Sequence, residues 1–280
     1  MGTALALTSA VCYGIADVAG GLLSRRVNFA VVALVGQAAA FLMVLVAAAA
    51  VPGRAGLVDL GWGALSGVGT GVGMAFLYRG LGRGAMSVVV PVSAVGGLAI
   101  PVLVGVALFG DRPTPPAALG MAVAAPALWF VSRGRGSTGP IASAAVDGMI
   151  ASLGIALQYL ALASAGPEAG IWPVASGRLT AMLAIAPLLA RRPPRGWWPP
   201  QGCGRYLLGA AFAGGCAALA LVTYLLATRQ QLVSIAVVLS SLYPVIPVVL
   251  GLTVLRERLA LGQALGLVGA GAAVVLLSVG

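Results

Sequence analysis

The residues with the most chemical promise in this chain are the ones that cost most where they stand. Arg178 lies near the middle of an apolar run, in IWPVASGRLTAM (171–182). A charge at the centre of a bilayer costs about 2.5–3.5 kcal/mol to insert. A guanidinium held there could grip a substrate carboxylate, since its fork of donors matches two oxygens. It could equally be half of a buried salt bridge, or a clamp on exposed carbonyls. Asp17 is the one acid well inside an apolar run of the first half, with Tyr13 one turn away on the same face. A carboxyl kept from water can carry a proton or a cation; the plainer role is to partner Arg178 or Arg25. Gln37, Gln158 and Tyr159 add hydrogen-bonding groups at similar depth. These are either substrate contacts or interhelical bonds worth about 0.6 kcal/mol each.

Prolines supply a second signal. Pro91 and Pro101 fall in one apolar run, Pro244 and Pro247 in another. Each proline removes the hydrogen bond to the carbonyl four residues back. On that rule Pro101 frees the Gly97 carbonyl, Pro244 frees that of Ser240 and Pro247 frees that of Tyr243. Broken helices at matched positions point to a binding or gating site; the alternative is a static kink that suits packing. The site expected from the sequence is therefore Arg178, Gln37, Gln158, Tyr159, Ser240, Tyr243 and Gly97 for substrate, Asp17 for proton or ion coupling, and the four prolines for gating.

Other chemistries lack their parts. The chain has no histidine and no paired acids, so an enzyme's nucleophile, base and orienter cannot be assembled. Three cysteines, Cys12, Cys203 and Cys216, form neither a disulfide framework nor a metal set. No metal and no cofactor are expected, and isolated polar positions argue against a polar-lined channel.

The elements that must position these residues are membrane helices. The chain is 60% hydrophobic and 8% charged, with a mean hydropathy of +1.06; a soluble domain carries about 25% charged residues. The net charge of +10 is carried entirely by arginines. All but Arg178 lie near the ends of apolar runs, as topological anchors and not as a nucleic-acid footprint. Runs near 20 residues match a hydrocarbon core about 30 Å thick. The pattern predicts ten: 2–23, 29–51, 60–79, 85–109, 115–132, 142–165, 169–190, 205–227, 232–255 and 259–279. The first lacks a basic leader and reads as a retained helix. Asp59, Asp147 and Glu168 are expected at helix starts, where a carboxylate suits the dipole. Tyr78 and Tyr224, at matched helix ends, are expected to anchor the interface. Gly67, Gly69, Gly71 and Gly73, with Gly262 and Gly266, form small-residue patterns for close helix approach.

The chain also repeats itself. PVLVGVALFGDRPTPPAALG (101–120) matches PVVLGLTVLRERLALGQALG (247–266) without a gap, with seven identities including Pro101/Pro247, Gly105/Gly251 and Arg112/Arg258. Gly14-Ile15-Ala16 recurs as Gly154-Ile155-Ala156; Gly63, Tyr78 and Arg83 match Gly209, Tyr224 and Arg229. Gln37 aligns with Arg178 within a residue. Two five-helix halves follow, 1–136 and 137–280. Five is odd, so the second is inverted. The expected fold is an all-α integral membrane protein of ten transmembrane helices in two inverted repeats around a central cavity, an arrangement that supports alternating access. Twelve arginines, from Arg25 and Arg26 to Arg256 and Arg258, lie in the joins of one side against Arg54, Arg112 and Arg229 on the other. The positive-inside rule then puts both termini outside.

Ten helices in two such halves, each ending in an apolar helix, a charged G/R-D/E-R turn and a Leu-Gly helix, resemble the EamA-type drug/metabolite transporter superfamily. CYGIADVAGGLLSRRVNF (12–29) and IWPVASGRLTAM (171–182) are similar to one bacterial branch of it. The resemblance spans the chain. It implies a multi-pass protein of the bacterial inner membrane with cytoplasmic termini. It also implies a monomer or weak homodimer that exports small metabolites such as amino acids, with H+ or another ion as the coupling partner. An efflux pump for cationic drugs and a structural, partner-binding subunit are the alternatives.

Overall fold

A computed structural model describes residues 1–83, 86–108, 114–132, 140–190, 203–230, 239–240, 243, 246 and 261–279. Among them there is no strand. The helices are α1 (Gly2–Ser24), α2 (Phe29–Ala50), α3 (Leu57–Gly82), α4 (Met86–Leu108), α5 (Pro115–Ser132), α6 (Pro140–Ala163), α7 (Trp172–Ala190), α8 (Cys203–Thr228) and α9 (Leu261–Val279). Their bounds follow local chemistry. Asn28 caps α2 by accepting the Ala30 N–H at 2.9 Å. Pro115 and Pro140 open α5 and α6, where a missing N–H costs nothing. Asp59 sits in the first turn of α3 and accepts the Gly56 N–H at 2.9 Å and the Gly166 N–H at 2.8 Å, so it ties that start to the α6–α7 join. The expected span 232–255 lies outside the described residues except at 239–240, 243 and 246, and Pro244 and Pro247 are among those not described.

Six of these helices, within α1, α2, α3, α6, α7 and α8, are long and apolar enough to cross a membrane. Their outward residues agree: Leu42, Val46, Leu183, Leu208 and Phe212 are exposed, which suits lipid and not water. The chain is an all-helical, multi-pass membrane protein. The Arg54 N–H donates to the Glu168 carbonyl at 2.8 Å, and Arg229, just past α8, donates to the Gly170 carbonyl at 2.7 Å. The α2–α3 join, the α6–α7 join and the end of α8 therefore lie together.

Packing rests on missing side chains. α3 lies between α6 and α7, α8 lies against α1 and α2, α2 also meets α7, and α5 pairs with α9. With no hydrophobic drive between helices in lipid, close contact and small residues hold them together. A Cβ on Gly214 would enter the backbone of α2 at Gly36, and one on Gly67 would strike the Gly177 carbonyl of α7. Gly154 of α6 meets α3 at Gly69 and Gly73 in the same way. Hydroxyls secure the α3–α7 seam: Ser176 donates to the Leu60 carbonyl at 3.0 Å and Thr180 to that of Ala64 at 2.8 Å. At α5–α9 the approach is between Gly269 and Ala127, while Gly262 touches Phe130 only at van der Waals range.

Three sequence expectations are corrected. Asp147 is not a helix-start charge. It lies inside α6, buried, and pairs with both Arg79 (Nε to Oδ1, 3.0 Å) and Arg83 (Nη1 to Oδ2, 2.7 Å) at the end of α3. Glu168 belongs to a short 3-10 turn, Pro167–Ala169, ahead of α7. Tyr78 and Tyr224 are buried and do not anchor an interface.

Gly214→Leu is expected to cost roughly 1–3 kcal/mol, as overpacking does, and to lower the unfolding temperature of the detergent-solubilised protein. Gly61→Ala, where a Cβ meets nothing within 4 Å, should not lower it.

Candidate functional site

Arg178 is drawn into the protein by the α3–α7 seam one residue away, where Gly177 lies against α3. Its side chain is 2% exposed. One terminal nitrogen donates to Oε1 of Gln37 on α2 at 3.2 Å, the other to the Ala217 carbonyl of α8 at 3.0 Å. Nε is buried without a partner, and among the described residues no carboxylate pairs with the guanidinium. Among the described residues, two neutral oxygens hold Arg178 and no salt bridge does.

A cavity of about 50 Å³ opens beside it, lined by Tyr13 and Asp17 of α1, Thr70, Gly73, Met74 and Leu77 of α3, Ile155, Gln158 and Tyr159 of α6, Arg178 and Tyr243. Asp17 is 4% exposed and has neither an ion pair nor a hydrogen bond among the described residues. Gln158 is fixed on three sides. Its Oε1 accepts the Thr70 hydroxyl at 2.7 Å, its Nε2 reaches the Tyr13 hydroxyl at 3.4 Å, and its backbone carbonyl accepts Ser66 at 2.9 Å. The rings of Tyr13 and Tyr243 stand 6.0 Å apart, tilted by 56°. The wall thus offers one guanidinium and one carboxyl group, neither paired with an opposite charge among the described residues, among tyrosines and one anchored amide.

Five of the expected site residues meet here: Arg178, Asp17, Gln158, Tyr159 and Tyr243. Gln37 does not reach the cavity. It stands behind Arg178, with Nε2 against the Met74 sulfur at 2.9 Å, and positions the guanidinium. Gly97 lies behind the cavity wall, where a Cβ would sit 2.8 Å from Ile155 Cγ2. Ser240 is buried and donates to the Ala6 carbonyl of α1 at 3.4 Å. The Ser240 carbonyl, expected to be freed by Pro244, accepts the Tyr243 N–H at 3.3 Å. The Tyr243 carbonyl faces Gly14 of α1, 2.9 Å from where a Cβ there would lie. α4 runs as one helix through Pro91 and Pro101.

Thr70 and Met74 belong to the site and are missed from the sequence. The glycines around them read as packing, which they are, yet the same close approach exposes the intervening Thr70 to Gln158.

No protein-family model matches the chain, and no curated protein matches it.

Gln37→Leu removes an acceptor from a buried cation, a bond worth about 1.5–3 kcal/mol. The expected outcome is a lower unfolding temperature in detergent, partly restored by a small carboxylate that occupies the cavity. A variant as stable as the parent would show that Gln37 does not hold the guanidinium.

Proposed function

We propose that this chain is a secondary transporter, not an enzyme, that moves small metabolites such as amino acids by alternating access. The carrying observation is Arg178: a buried guanidinium on a cavity wall whose partners among the described residues are neutral, with no carboxylate. A cation in that state has a place for an anionic group of the solute. Asp17, also without a partner among the described residues, faces the same cavity and is the proton carrier or the contact for a solute ammonium. The cavity has room for a few water-sized groups, since about 10–15 Å³ of such volume holds one water. A metabolite therefore enters when helices part.

We place the chain in the EamA-type drug/metabolite transporter superfamily, in a bacterial inner membrane, as ten spans in two inverted halves, 1–136 and 137–280. The helix map supports this. Exchanging α1 with α6, α2 with α7, α3 with α8 and α5 with α9 converts the α3–α6 packing into α8–α1 and α3–α7 into α8–α2, and leaves α2–α7 and α5–α9 unchanged. The glycine crossings follow the same rule, since Gly36 against Gly214 mirrors Gly177 against Gly67. Gln37 and Arg178, aligned between the halves, touch each other. A residue meets its own repeat-mate only beside the axis, so that contact supports an axis through the site.

A second reading, efflux of cationic drugs, draws on Asp17 beside the rings of Tyr13, Tyr159 and Tyr243, which suit a cation. Flux into proteoliposomes decides between the readings, with amino acids and cationic dyes screened under proton and sodium gradients. No flux of any solute would defeat both.

Arg178→Ala should lower flux of a carboxylate-bearing solute at subsaturating concentration by roughly 10- to 100-fold, the equivalent of about 1.5–3 kcal/mol, while the protein stays monodisperse in detergent. Unchanged kinetics would remove Arg178 from the site. Asp17→Asn should leave exchange of solute for solute but abolish accumulation driven by a pH gradient; accumulation that persists would rule out Asp17 as the proton carrier.

A further inference from the structure

A second cavity, of about 190 Å³, opens at the ends of α6 and α8, on the face that carries the Arg54–Glu168 and Arg229–Gly170 bonds. It is lined by Leu162, Ala165, Pro167, Tyr224 and Arg229 among others. Arg229 is exposed at its surface end. Tyr224, one α8 turn deeper, is 4% exposed and forms the inner wall. Its ring packs on that of Tyr159, with centroids 5.1 Å apart and planes tilted by 58°. Tyr159 also lines the central cavity. One ring of the outer cavity and one of the central cavity are therefore in direct contact.

We propose that the outer cavity is an antechamber of the central one, that the Tyr159–Tyr224 pair is the gate between them, and that Arg229 is the first residue to meet a carboxylate-bearing solute. The inference rests on the transport reading above and adds the route, the gate and the entry residue. An aromatic pair suits a gate. It closes the space with large rigid surfaces, yet a tilted contact between two rings is lost by rotating one side chain, with no backbone hydrogen bond to break. The central cavity is too small for a metabolite while the outer one is several times larger, so a solute can wait outside a closed gate. Beyond the Nη2 bond to Gly170, Arg229 carries further donors, and a guanidinium at a cleft mouth raises the local concentration of anions. Arg229 and Arg178 then lie at the two ends of one path, an outer and an inner cation for the same carboxylate.

Thiol accessibility tests the route without requiring transport. In the full chain carrying Cys12→Ala, Cys203→Ala and Cys216→Ala, Thr70→Cys places one thiol in the central cavity. Its modification by anionic sulfonatoethyl methanethiosulfonate, and by the cationic trimethylammonium analogue, is timed from each face of the membrane. Tyr224→Ala should raise the rate about tenfold from the Arg229 face alone, the size of losing one aromatic pair, while Tyr224→Phe keeps the parent rate. Tyr159→Ala opens the same gate from the other ring and must give the same result; it serves if Tyr224→Ala does not fold. No rise, or an equal rise from both faces, overturns the gate. Arg229→Glu should lower the ratio of anionic to cationic labelling about 3- to 10-fold at low salt and less at high salt; an unchanged ratio removes Arg229 from the entry path. These rates stand whether or not a solute is found to move. Flux without gated labelling would overturn this route and leave the transport reading in place.

Discussion

A positive charge buried with no carboxylate beside it among the described residues is the constraint on which the site depends. The guanidinium of Arg178 is away from water, and its described partners are an amide oxygen of Gln37 and a backbone carbonyl of Ala217. Neutral oxygens offset part of the desolvation and none of the charge. Asp17, on the same cavity, is too far to pair with it. Had the two met, each would have satisfied the other and the cavity wall would carry no demand. Holding them apart on different helices leaves a guanidinium and a carboxyl group at separate places on one wall, and that separation is the work of the helix packing.

The packing achieves it by removing side chains. α3 approaches α6 and α7 closely at Gly69, Gly73 and Gly67, and α2 approaches α8 at Gly36 and Gly214. Backbone against backbone gives short, stiff seams, and these fix where α7 presents Arg178 and where α6 presents Gln158. The same closeness leaves the central cavity small. A seam of this kind has no side chains to rearrange, so any widening must come where side chains meet, as at the tyrosine pairs Tyr13–Tyr243 and Tyr159–Tyr224. The charged cluster of Arg79 and Arg83 on Asp147 adds a polar tie between α3 and α6 near one membrane face.

Much of this was legible in the chain. Apolar runs are a local signal, and the described helices begin and end within a few residues of the runs that predict them. Arg178 and Asp17 stood out because a charge in an apolar run needs a reason. Gln158, Tyr159 and Tyr243 join them at the cavity, whereas Gln37 acts one layer behind. Residues of ordinary type were not legible. Thr70 and Met74 carry no signal beyond their place on α3, and Tyr78 resembled an interfacial anchor until its hydroxyl was seen to reach the Ala16 carbonyl at 3.3 Å inside the bundle. Asp147 and Glu168 differ from expectation for a related reason: position along the chain suggests dipole partners, while Asp147 pairs with arginines sixty-odd residues away and Glu168 lies in a 3-10 turn.

By itself the sequence determined the solvent and the elements. Hydropathy and run length set helices against a hydrocarbon core, because a backbone in lipid must bond to itself, and these depend only on neighbours in the chain. It also determined which side chains are expensive and so worth asking about. Only the tertiary structure decided which of them meet. Whether Arg178 faces a carboxylate, a glutamine or an open cavity depends on the rotation and depth of α2, α7 and α8 relative to one another. Those are set by which glycines touch across the bundle, and no local pattern carries that choice.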